Sequence, residues 1–115
     1  MHKLYDFIEA RERLTTVVVK TKLMHSPVFS EESGNEIYLK PENLQKTGSF
    51  KIRGAYNKIA KLTEEEKKKG VIASSAGNHA QGVAYAAKRL GIKAVIVMPK
   101  HTPLIKVEAT RKYGA

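Results

Sequence analysis

A chain of 115 residues with 42% hydrophobic residues carries enough apolar surface for one modest globular unit; it has no cysteine, which excludes disulfides and thiolate metal sites. The net charge is +10, but the basic residues are scattered, Lys67–Lys69 follows directly on Glu64–Glu66, and aromatics make up only 7%. That pattern argues against a nucleic-acid partner, which asks for a phosphate-tracking basic stripe with stacking side chains. The histidines, His2, His25, His79 and His101, lack ligand spacing, so no metal is expected. Met1–Asp6 has no signal-peptide run and no apolar stretch approaches bilayer length, so a cytoplasmic protein without a membrane partner is the expectation.

Apolar residues at Leu4, Phe7, Ile8 and Leu14 recur at helical spacing and predict a helix over 4–14. Residues 15–35 read as irregular and polar apart from Val17–Val19, with a turn at Ser33-Gly34-Asn35. Ile37–Leu39 reads as a short strand closed by Pro41. A helix is expected from Ser49 to about Leu62, burying Phe50, Ala55, Ile59 and Leu62. Thr63 and Glu66 form a capping-box pattern ahead of a short helix that stops at Gly70. Val71–Ala73 reads as a strand. Asn78 is expected to cap a helix whose apolar face is Ala80, Val83, Ala84, Ala87 and Leu90, stopped by Gly91. Ala94–Met98 is the clearest strand, continuous and β-branched. Thr102 and Pro103 then supply a cap and a first-turn proline for a last helix ending at Gly114. Strands alternating with helices through short loops give an α/β fold, a parallel sheet with flanking helices. After Gly114 the pattern calls for another strand, so the sheet reads as unfinished.

Two stretches carry chemistry. In Gly48-Ser49-Phe50-Lys51-Ile52-Arg53-Gly54-Ala55, one lysine sits among small and apolar residues. A sheltered lysine amine can condense with a carbonyl. Spacing alone favours a surface lysine in the first turn of a helix; the neighbouring small residues, which let a flat ligand or other backbone come close, pull the other way. Ser74-Ser75-Ala76-Gly77-Asn78-His79-Ala80-Gln81-Gly82 lies between a strand and a helix. It serves equally as an ordinary capped turn or as an anion site, where helix N-terminal amides and the Ser75 and Asn78 side chains donate at the carboxyl end of a parallel strand. The loop is neither a Walker phosphate loop nor a dinucleotide fingerprint, because the required residues and glycine spacing are missing. His79 taken alone reads as a packing or capping residue in the first turn of a helix, and Arg53 equally as the partner of an acidic group or as an exposed helix charge.

Pro41-Glu42-Asn43-Leu44-Gln45-Lys46-Thr47-Gly48-Ser49-Phe50-Lys51-Ile52-Arg53-Gly54-Ala55 resembles the pyridoxal-phosphate lysine motif of the serine/threonine dehydratases, and Ser75–Gly82 resembles that family's substrate-carboxylate loop. The likeness runs from about Glu9 through the last helix, and catabolic threonine dehydratases (threonine ammonia-lyases) match best. It implies a two-domain fold of the tryptophan-synthase-β type, of which this chain is an incomplete N-terminal part. Residues 1–45 would pack on the larger domain; residues 46–115 would form an incomplete small α/β domain carrying lysine and loop. Lys51 would hold pyridoxal 5'-phosphate as a Schiff base and act as the proton acceptor. Phe50 would pack beside the cofactor ring, and Asn78 would bond its 3-hydroxyl oxygen. Ser75, with the amides of Gly77, Asn78 and His79, would hold the substrate carboxylate. The implied reaction is deaminating dehydration of L-threonine, and of L-serine, to 2-oxobutyrate or pyruvate and ammonia, in a homo-oligomer. Serine racemases carry a second base where this chain has Ala76, which favours elimination. A racemase-like or other β-elimination enzyme, and a non-catalytic interaction module, are the alternatives. The family's phosphate-cradling glycine loop is not among these residues, so the chain would supply only part of a site.

Overall fold

The computed structural model describes residues 1–115. Helix α1 spans Leu4–Leu14, as the spacing predicts, but only Leu14 of its apolar face is buried; Leu4 and Phe7 stand in the open. The stretch expected to be irregular holds two elements instead. Strand β1 is Met24–His25 and helix α2 is Pro27–Ser33, with Ser26 as its N-cap, proline at its start and the left-handed Gly34 after it. The Ser-Pro pair was the readable signal. Strand β2, Tyr38–Leu39, pairs antiparallel with β1 (Met24 opposite Leu39, His25 opposite Tyr38), so it forms no part of the parallel sheet.

After a 3-10 turn at Glu42–Leu44, helix α3 runs Lys51–Ala60. Its buried side is Ile52, Ala55 and Ile59; Phe50, expected inside, is 57% exposed, while Ile52 is fully buried. The register explains the exchange, because Ile52, Ala55 and Ile59 recur at three and four residues, whereas Phe50 precedes the first helical turn. Helix α4, Glu64–Lys69, begins with the expected capping box: the Thr63 N–H donates to Glu66 Oε2 at 2.8 Å, and the Glu66 N–H donates to Thr63 Oγ1 at 3.2 Å.

Strand β3, Val71–Ser74, and strand β4, Ala94–Val97, pair in parallel, with Val71 opposite Ala94 and Ser74 opposite Val97. Helix α5, Asn78–Leu90, crosses between them, followed by Gly91 in the left-handed conformation. Its N-cap is Gly77 rather than Asn78, which is the first helical residue. Val71, Ala73, Ala94 and Ile96 point into a core made by Ala55, Ile59, Val83, Ala86, Ala87 and Ile92. The alternate residues Ile72, Val95 and Val97 face outward and are exposed, so this sheet is covered on one face only. Helix α6 is Leu104–Arg111. Thr102 does not cap it: its Oγ1 donates to the Pro99 carbonyl at 2.7 Å and tightens the preceding turn, leaving Pro103 at the N-cap. The helix also ends before Gly114, in a run of turns. No helix is long and apolar enough to cross a membrane.

Candidate active site

Lys51 is the first residue of α3 and is exposed, not sheltered as its neighbours suggested. Its Nζ lies 5.1 Å from the centroid of the Phe50 ring, a cation–π distance, so the amine and an aromatic face stand side by side. The approach to Lys51 is a bend. The Gly48 N–H donates to the Gln45 carbonyl at 2.8 Å, and Gly48 has φ 69, which a side chain would resist. The buried Ser49 then turns its Oγ toward the Lys51 N–H, 3.4 Å away. Thr47, also buried, has a hydroxyl with no partner in the chain, an unsatisfied group that asks for a further donor or acceptor.

The second motif follows β3. The Ser75 N–H donates to the Val97 carbonyl at 3.0 Å, which fixes the loop to the end of the sheet. Ser75 Oγ accepts from the Gly77 N–H at 3.3 Å and keeps its own proton free to donate. The N–H groups of Asn78 and His79 meet no acceptor in the chain, and neither does the Asn78 carboxamide. Because Gly77 caps the helix, the Asn78 side chain is not spent on capping. The loop thus presents a hydroxyl, two amides and a carboxamide at the positive end of a thirteen-residue helix, a set suited to a carboxylate.

The two motifs touch through Gly82. A Cβ built there would stand 3.0 Å from the Lys51 carbonyl carbon, 3.1 Å from its oxygen and 3.3 Å from the Ile52 nitrogen. Only a residue without a side chain lets α5 lie against the backbone of the lysine.

A polar clamp holds the base of α3. Arg53 donates from Nε to Glu42 Oε2 at 2.8 Å and from Nη2 to Oε1 at 2.9 Å; Thr21 Oγ1 adds a third bond to Oε1 at 3.0 Å. The Arg53 bonds, chiefly, hold the Glu42 carboxyl down at about 2. Gln45, buried beside it, takes the Val19 N–H at 2.9 Å and donates back to the Val19 carbonyl at 2.8 Å. Of the two readings open for Arg53, the structure shows the contact with an acidic group: it is paired with Glu42 and committed to structure. Glu42, Gln45 and Gly82 were not singled out, because their partners lie far along the chain or are backbone atoms.

An open groove of about 630 Å³ has Phe50, Lys51 and His79 at one end. The rest follows α3, α4 and the edge of β3 as far as Lys69 and Gly70, so only the first end concerns the chemistry. Ser75, Gly77 and Asn78 do not line it; they sit at the head of α5. An amine reaching open space, an aromatic face beside it and an uncommitted carboxamide fit the aldehyde, ring and ring-oxygen side of pyridoxal phosphate.

Comparison with known proteins agrees. The chain is 64% identical, over all 115 residues, to an L-threonine ammonia-lyase of Thermotoga maritima, of which it covers 29%. It is 56% identical over 110 residues to the catabolic L-threonine dehydratase TdcB of Escherichia coli, covering 96% of this chain and 33% of that protein. The solved structure of maize serine racemase superimposes with a TM-score of 0.92 at 42% identity, covering 98% of this chain and 34% of that one. The chain therefore spans about a third of the length of these relatives. The sequence pattern of one family extends over residues 14–115, and by that match the chain belongs to the pyridoxal-phosphate dependent enzymes.

Proposed function

We propose that the protein carrying this chain deaminates L-threonine, and L-serine, by eliminating water across Cα–Cβ and then hydrolysing the resulting enamine, so that the net products are 2-oxobutyrate or pyruvate and ammonia. The observation that carries this reading is the packing of α5 at Gly82 on the Lys51 backbone, which brings the helix headed by the Ser75–His79 loop onto the turn that bears the lysine. The likeness to threonine ammonia-lyases supports the substrate. Bound pyridoxal phosphate supplies an electron sink that makes the substrate Cα–H acidic. Lys51 Nζ would anchor the cofactor, and its free amine would accept the Cα proton. Ser75 Oγ and the free N–H groups of Asn78 and His79 would receive the carboxylate and orient Cα, joined by the Gly77 N–H when it exchanges its bond to Ser75 Oγ for the substrate. The Asn78 carboxamide donates to the cofactor's ring oxygen, and Phe50 offers its face to the ring. Residues 46–115 belong on this reading to the smaller of two domains, and residues 1–45 lie against the larger. The protein is a cytoplasmic homo-oligomer acting on a small amino acid, with no nucleic-acid or membrane partner.

A racemase reading is favoured by the superposition on serine racemase. It is opposed by Ala76, whose methyl group can neither accept nor donate a proton on the second face of Cα. Incubating the intact gene product with L-threonine and L-serine separates the readings. Ammonia and 2-oxo acid release that disappears in Lys51→Ala is expected; D-serine as the main product would replace elimination by racemisation.

A further inference from the structure

The role of Gly82 goes beyond allowing two helices to pack. Gly82 lies four residues after Asn78 on α5, so the two share one face, about 6 Å apart along the axis. That face rests on main-chain atoms of Lys51 and Ile52, at distances where an added methyl has no flexible side chain to push aside. Ile52 is fully buried and shares the buried face of α3 with Ala55 and Ile59, so the contact lies inside packed protein. Gly82 is the point in the α3–α5 seam where helix meets main chain, beside the side-chain packing of Ala55 and Ile59 against Val83, Ala86 and Ala87.

We propose that Gly82 is a positioning residue for the reaction: it sets the distance from Lys51 to Asn78 and the carboxylate-binding amides. The inference rests on the reading of Lys51 as the cofactor-bearing lysine. Adding a methyl at Gly82 displaces the α3 backbone by a few tenths of an ångström or more from the head of α5. The amine then approaches Cα from the wrong place, while Ser75 and the free amides of α5, all within their own loop and helix, still receive the carboxylate. Displacements of about 1 Å cost on the order of a hundredfold in rate when a catalytic group loses its alignment.

The test is Gly82→Ala in the intact gene product, with Ile92→Val as the control. Ile92 is buried in the same core away from the site, so its shortening lowers stability without touching Lys51. Three quantities are read: the visible circular dichroism per bound cofactor, kcat, and KM for L-threonine. The expected result for Gly82→Ala is an altered dichroic band at unchanged cofactor stoichiometry, kcat lower by about tenfold to a hundredfold, and KM within about threefold of the parent. Ile92→Val is expected to lower the melting temperature and leave all three unchanged. If Gly82→Ala behaves like Ile92→Val, Gly82 is a packing residue only and the inference falls. Should Gly82→Ala not fold under the conditions used for the parent, it is produced and assayed at low temperature with excess pyridoxal phosphate; if no folded protein forms there either, Gly82 is required for folding rather than for positioning and the inference falls. Lys51→Ala is run in parallel. If it keeps the visible band of the parent, the reading of Lys51 falls, and this inference with it; loss of that band alongside an unaltered Gly82→Ala overturns the inference alone.

Discussion

Residues 1–45 and residues 46–115 are held in place by different forces. The second region is an apolar assembly: Ala55, Ile59, Val83, Ala86, Ala87 and Ile92 close over one face of the β3–β4 pair, and Ile52 is fully buried beside them on α3. The first region buries little. Leu4, Tyr5, Phe7, Met24, Val28, Phe29, Tyr38 and Leu39 are all exposed, and its attachment runs through polar links. Gln45 zips to Val19, Glu42 joins Thr21 to Arg53, Lys40 Nζ donates to the Thr21 carbonyl at 2.6 Å, and Arg13 donates to the Asn57 carboxamide. Only Leu14 and Val17 add buried apolar contact. The lesson is that the lysine turn is built where the two kinds of attachment meet: Lys51 is followed by the fully buried Ile52 and then by Arg53, which the Glu42 clamp holds in the same helical turn.

The largest break in this comparison comes from the apolar side. Ile52→Ala removes a fully buried side chain and is expected to cost about 2–5 kcal/mol, read as a lowered urea midpoint with the slope unchanged. Next comes the polar side. The Glu42 side chain is 17% exposed and its carboxyl is held at about 2, below the unfolded value near 4.3. Its contribution, on the order of 3 kcal/mol, is therefore whole above about pH 4.5 and is lost as the pH falls toward 2. Glu42→Gln should lower stability at pH 7 and flatten the acid limb of a stability–pH curve; an acid limb as steep as the parent's would show that the clamp is not what titrates.

The part of the fold that was legible in the sequence follows the same division. The Thr63 capping box, the Gly91 stop, the β3 and β4 strands and the Ala80–Ala87 face of α5 are local or periodic signals, and each forms where the spacing placed it. The β1–β2 pair was hidden because two-residue strands leave no alternation to read, and the exposed sheet face because burial depends on what else packs there. Phe50 misled because an aromatic beside an apolar stretch looks like core, whereas here it flanks an exposed amine. In the site, Lys51 and the Ser75–His79 loop were legible as motifs. Gly82 was not, because its partner is the backbone of a residue thirty-one positions earlier.

Smaller effects sharpen the picture. Thr63→Ala loses the hydroxyl half of a capping box on an exposed six-residue helix and is expected to cost about 1 kcal/mol, checked by thermal melting. Phe7→Ser, at an exposed position of α1, is expected to change the stability of residues 1–115 by less than about 0.5 kcal/mol. A larger loss would show that the first region is held by apolar contact after all.

The identity of the cofactor lysine tests the whole account most directly. The intact gene product is loaded with pyridoxal phosphate, reduced with borohydride, digested and mapped by mass spectrometry. The account predicts the phosphopyridoxyl mass on the peptide containing Lys51. The same mass on a different lysine, or on none, would contradict it.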